Sequence, residues 1–322
     1  LILARCSGGP LAETGVLAGM SGSPVTIDGK LIGAVAYYWG FSKEPIAGIT
    51  PIEEMLAVAE LESGAPAGRA GAALRDADPL ASLYALDRIR PLFAEEIPAL
   101  FRRPAGALPL AIPLAVSGLG GRGLARVAPL LDQAGFLPVQ SGSAGGDGAT
   151  AVTLEPGSAV GLKLVRGDIE MTATGTVTWV EGDRVLAFGH PLFGLGAVDL
   201  PMTGATVQTL LPSLARSARI ATPLGELGAV RQDRNAAVLG RLGARPRLIP
   251  VRFQLTGPAR EEKVYSFDVA DDPLLSPLLL YASLNGILAS RERPMGNVTV
   301  RIKEGSVIKM TAGQDVELDN LY

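Results

Sequence analysis

Glycine and proline interrupt this chain about once in every five residues, 40 of one and 24 of the other among 322, and that spacing constrains the fold more than any other feature. Proline cannot donate to a ladder, and glycine weakens helix interiors. Long helices are therefore disfavoured over most of the chain, and short strands joined by tight turns are expected. Hydrophobic residues make up 48%, enough at this length to fill a substantial core. Charged residues are 19% and the net charge is −3, with no block of like charges, which argues against a nucleic-acid surface. The expected class is mainly β with a few helices, an α+β fold.

Reading in order, Leu1–Arg5, Pro24–Ile27 and Leu31–Tyr38 have strand character. Thr50-Pro51-Ile52-Glu53 is a capping box with proline at the first helical position. Ile52, Met55, Leu56 and Ala59 then recur at helical spacing. The small, polar run over 63–78 reads as a linker. Ala107–Val116 is a strand placed at a sheet edge by its prolines, followed by a helix over Leu124–Ala134. Strands dominate from Ala151 to Phe188, a helix is expected over Gln208–Ala218, and strands resume to Val269. Asp272-Pro273 opens another helix, and Asn297–Lys303 with Ser306–Met310 closes the chain as strands. Four segments follow: 1–62 with the serine motif described next, the linker 63–78, a small α/β segment 79–150, and a β-rich domain 151–322.

One stretch carries chemistry in its residue order. Val16-Leu17-Ala18-Gly19-Met20-Ser21-Gly22-Ser23-Pro24 sets a serine between small residues. The Asp28-Gly29 hairpin turn follows it. Glycines flanking a serine let the backbone bend so that its hydroxyl stands clear and nearby N–H groups converge on one spot. The same pattern also suits a plain small-residue turn. Such a serine needs a base, and His190, the chain's single histidine, lies just past a hairpin turning at Glu181-Gly182-Asp183.

Gly19-Met20-Ser21-Gly22-Ser23-Pro24, with Asp28 through Val35 and Ile49 through Leu56, resembles the nucleophile region of the SpoIVB-type serine peptidases. Gly175-Thr176-Val177-Thr178 through Ala187-Phe188-Gly189-His190 is similar to that family's histidine hairpin. The resemblance implies a chymotrypsin-like β-barrel module beside a second β-rich domain. It implies Ser21 as nucleophile, His190 as base, and the N–H groups of Gly19 and Ser21 as the oxyanion hole. It also implies a protein or peptide substrate, possible self-processing, no cofactor, and a bacterial extracytoplasmic setting with envelope protein partners. The chain departs from the family in two ways. His190 follows the serine instead of preceding it, and Ser7 stands where the family has an aspartate. Asp199 is the substitute third member. These departures motivate the alternative of a catalytically inactive protease-like scaffold in an envelope assembly.

The remaining features are weaker. Gly118-Leu119-Gly120-Gly121-Arg122-Gly123 matches a dinucleotide fingerprint, but no acidic residue follows at the ribose-binding spacing, and a glycine-rich connector is the better account. Gln232-Asp233-Arg234-Asn235 reads as a polar hairpin tip, and Asn297-Val298-Thr299 is a glycosylation sequon better explained as strand. Cys6 is the single cysteine, so no internal disulfide forms, and with one histidine no metal site is expected. No apolar run reaches the roughly 18 residues that cross a bilayer. The start at Leu1-Ile2-Leu3-Ala4-Arg5, without Met, reads as mid-strand with sequence missing upstream.

Overall fold

In the computed structural model the described residues are 1–40, 42–61, 106–142, 152–214, 216–256, 261–291, 306–308 and 316–318. The linker expected over 63–78, the sequon at Asn297 and the strand expected over Asn297–Lys303 lie outside them. Residues Leu1–Ser290 form one compact unit and Arg291–Tyr322 a second.

The first sheet grows from the Asp28-Gly29 turn, where both residues take positive φ (49° and 75°), the geometry a two-residue hairpin demands. Strands β1 (Ile2–Arg5), β2 (Pro24–Ile27), β3 (Lys30–Tyr38) and β4 (Ile46–Pro51) pair in the order β1-β4-β3-β2, with β5 (Leu108–Pro109) also on β3. Helix α1 (Leu11–Thr14) precedes the serine loop, and α2 (Ile52–Ala59) follows β4. Ile52, Met55, Val58 and Ala59 of α2 pack on Ala34 of β3 and on Leu186 and Leu239 of the second sheet. Thr50 does not cap α2: no side-chain cap bond is made there, and its buried hydroxyl donates to Gly189 O.

The second sheet contains a closed ring. β8 (Ala159–Gly167), β9 (Glu170–Glu181), β10 (Arg184–Ala187), β11 (Gly196–Leu211), β12 (Ala218–Asp233) and β13 (Val238–Leu242) pair in the cycle β8-β11-β12-β13-β10-β9. The β8–β9 pairing completes it, with every neighbour antiparallel. Closure removes the free edges of those strands. β6 (Ile112–Ser117), helix α3 (Gly121–Gln133) and β7 (Phe136–Gln140) form a parallel β-α-β unit attached through β6 to β9. β14 (Leu248–Thr256) and β15 (Glu262–Ala270) extend the sheet from β8, and α4 (Leu275–Arg291) follows, its first N–H groups accepted by Asp272. In the second unit β16 (Ser306–Ile308) pairs antiparallel with β17 (Val316–Leu318).

The mainly β class is as expected, and two local readings change. The described residues of Gln208–Ala218 form no helix: β11 runs to Leu211 and pairs through Thr206, Val207 and Thr209 with the start of β12. β-branched residues and cross-strand pairing outweigh the helical spacing there. The Ala107–Val116 strand divides between the two sheets, and Pro113 lies in β6 between β9 and β7, not at an edge. Among the described residues no helix is long and apolar enough to cross a membrane.

β9 positions everything that follows. Its residues alternate, with Met171, Ala173 and Val177 in the main core and Thr172, Thr174, Thr176 and Thr178 buried on the opposite face. β6 pairs with β9 up to Ala173, and β10 pairs from Val177. The serine loop takes the interval between them: Thr176 N–H donates to Ser21 O at 2.8 Å. Thr176 Oγ1 donates to Gly19 O at 3.0 Å and Thr178 Oγ1 to Gly22 O at 2.7 Å. Gly22 has φ +92°, and a Cβ there would collide with Thr176 O and Phe188 N.

Gly29 shares the positive φ (+75°) but meets nothing within 4 Å, so it separates backbone strain from collision. Gly29→Ala is expected to cost about 1 kcal/mol, and Gly22→Ala at least about 2 kcal/mol more, measured by urea unfolding. Equal losses would show that the loop is not wedged against β9.

Candidate active site

Ser21 and His190, 169 positions apart in the chain, meet with Nε2 2.8 Å from Oγ. Ser21 rides on the loop fastened to β9 and to β3, where Gly22 N–H donates to Val35 O and Val35 N–H to Ser23 O. His190 stands just past β10, after Phe188 and Gly189 with φ of 70° and 67°. Phe188 N–H donates to the same Thr176 whose N–H holds Ser21. A non-glycine residue with positive φ is uncommon and persists only where its surroundings hold it. Here a buried Phe188 ring lying over Gly175 does so.

The tautomer follows from the partners. His190 Nδ1 lies 2.8 Å from Pro191 O, and a carbonyl only accepts, so Nδ1 carries the proton and Nε2 presents a lone pair to the Ser21 hydroxyl. Ser21 and His190 are each 1% exposed, and the imidazole lies near the rings of Tyr37 and Phe188, with centroids 6.3 and 6.2 Å away. Burial pulls the imidazole down from 6.5 to about 4, and the Pro191 carbonyl opposes this more weakly. The ring is neutral at pH 7 and able to accept a proton.

Asp199 is not brought to the imidazole. Its carboxylate bonds to Arg231, accepts from Arg247 N–H at 3.0 Å and faces Arg247 Nε at 3.6 Å. The Pro191 carbonyl takes the orienting place instead. Asp233, 1% exposed, fixes the segment behind it, accepting the N–H groups of Leu192, Phe193, Gly194 and Leu195 at 2.7 to 3.3 Å. Burial pushes this carboxyl up and the four donors pull it back. Gln232 beside it is also buried, so of the polar hairpin tip expected at 232–235 the first two residues are interior, while Arg234 is half-buried and Asn235 exposed. The signal available in the sequence was a carboxylate set between apolar strands, which burial tolerates only with dedicated donors.

Gly19 and Ser21 accept through their carbonyls, and neither N–H donates to another group among the described residues. The Gly118–Gly123 pattern does lie at a strand-to-helix turn, but its glycines serve packing. A Cβ on Gly118 would collide with Asp168 O and one on Gly123 with Gly286 O. Ser290 Oγ accepts from Gly120 N–H at 3.0 Å, so α4 covers the start of α3. No group of three or more His, Cys, Asp or Glu able to hold a metal occurs among the described residues. No family model, curated protein or solved structure matches this chain.

The unfolded imidazole binds its proton below about pH 6.5 and the folded one only near pH 4, so falling pH favours unfolding across that window. His190 thus contributes stability that is complete above pH 6.5. By pH 4 about 3 kcal/mol of it is lost. The difference between wild type and His190→Gln in urea unfolding from pH 7 to pH 4 is expected to show that loss. Parallel pH profiles would contradict it.

Proposed function

We propose that this chain carries the serine–histidine centre of a SpoIVB-type serine endopeptidase acting on protein substrates in the bacterial envelope, including by self-processing. The observation that carries the reading is the 2.8 Å contact between Ser21 Oγ and a neutral imidazole nitrogen. It joins the two segments whose sequences resemble that family's nucleophile and histidine blocks. The closed six-stranded antiparallel ring that bears His190 is in keeping with a chymotrypsin-like module.

In this mechanism Ser21 Oγ attacks a peptide carbonyl while its proton passes to His190 Nε2, and the N–H groups of Gly19 and Ser21 receive the carbonyl oxygen as it gains charge. The imidazolium returns the proton to the leaving nitrogen as the C–N bond breaks. Water repeats the sequence on the acyl-serine, releasing the acid and restoring the hydroxyl. His190 Nδ1–H keeps the Pro191 carbonyl throughout. A carbonyl dipole stabilises imidazolium less than a carboxylate does, so turnover is expected well below that of a complete triad, where misdirecting the imidazole costs on the order of 10⁴.

A second reading is favoured by the 1% exposure of both side chains: the pair is a buried bond locking the loop to the barrel of a non-catalytic scaffold. A fluorophosphonate probe separates the two. The peptidase reading expects covalent labelling at Ser21, abolished in Ser21→Ala and reduced at least about 100-fold in His190→Ala. A folded wild-type chain that stays unlabelled supports the scaffold.

A further inference from the structure

Arg219, near the start of β12, leans against the serine loop. A Cβ added to Gly19 would lie 3.2 Å from Arg219 Cβ and 3.4 Å from its Nε. Nη2 donates to Gly175 O at 2.7 Å and to Thr176 Oγ1 at 3.0 Å. Thr176 is the residue that binds Gly19 O and Ser21 O, so the guanidinium and the serine loop share one support.

The charge on Arg219 is unanswered. Arg166 on β8, Arg184 on β10 and Arg231 farther along β12 each face carboxylates. No carboxylate pairs with Arg219 among the described residues, and its two acceptors are neutral. Its Nε is sealed from solvent and has no hydrogen-bond partner. Burial pulls the guanidinium down from 12.5 to about 10, and it remains charged at neutral pH. A half-buried charge without an anion is costly to hold. With Nε sealed and Nη2 committed to two acceptors, Nη1 is the arm left to meet a carboxylate, through a charge-assisted hydrogen bond.

We infer that Arg219 forms a carboxylate-binding subsite beside the Gly19–Ser21 loop, taking an anionic group of a peptide that lies against that loop. Two sources share this chemistry, an acidic side chain and a free C-terminal carboxylate. The inference takes from the peptidase reading only where the peptide lies; carboxylate binding itself requires no hydrolysis.

Three probes test it by calorimetry on the full chain: acetyl-tetraalanine amide, acetyl-tetraalanine with a free C-terminus, and acetyl-Ala-Ala-Glu-Ala amide. At least one carboxylate peptide is expected to bind wild type about tenfold or more tightly than the neutral amide, and which one identifies the source. Arg219→Gln is expected to abolish the preference and Arg219→Lys to retain part of it. Equal affinity of wild type for all three peptides, or binding of none, overturns the inference without relying on the fold of any variant. A carboxylate preference in a chain that fluorophosphonate does not label leaves the subsite standing and removes the peptidase. Labelling without a preference does the reverse.

Discussion

The structure depends on the seating of the Gly19–Ser23 loop against β9. Thr176 holds Ser21 with its N–H, Gly19 with its hydroxyl and Phe188 with its carbonyl, so one residue ties the serine's loop to the turn that delivers His190. These bonds are buried, where leaving a partner unmet costs about 1–3 kcal/mol each. They close only because Gly22 has no side chain. Thr50 adds a bond from the first sheet to Gly189 O, so the histidine turn is gripped by both sheets. A Ser–His contact between distant segments is thus a consequence of how two β structures interlock.

The same interlock sets the chemistry. Burial beside the rings of Tyr37 and Phe188 keeps the imidazole neutral, and the Pro191 carbonyl selects the tautomer that turns its lone pair to Ser21. Pro191 O fixes the ring orientation, and Asp233 holds Leu192 to Leu195 in place; in the peptidase reading these two together stand where a triad has its aspartate. Asp233 is a positioning residue, since it touches neither member of the pair. Low dielectric strengthens its four bonds and also raises the cost of an imidazolium, so the features that order the site limit its power as a base.

Much of this was legible in the sequence wherever a local rule and the tertiary structure agreed. The Asp28-Gly29 turn, the apolar spacing of Ile52, Met55 and Ala59, and the hairpin at Gly182 needed only neighbours in the chain. Ser21 and His190 were identifiable from their settings, though nothing local stated that they touch. What was not legible depended on partners far away. Thr50 has every mark of a helix cap, yet its hydroxyl goes to a carbonyl 139 positions on. Asp233 reads as a surface turn until four N–H groups from another loop surround it. Asp199 is acidic and near His190 in sequence, but two arginines hold it elsewhere. Gln208 to Leu211 shows helical spacing, and only β12 makes it a strand.

Because the chain contains one histidine, the ¹⁵N spectrum of its imidazole tests the central claim directly. The account predicts a neutral ring at pH 6 protonated at Nδ1, with an Nε2 resonance that moves when Ser21 is replaced by alanine. A ring protonated at Nε2, or one titrating near 6.5 with no response to Ser21→Ala, would contradict it.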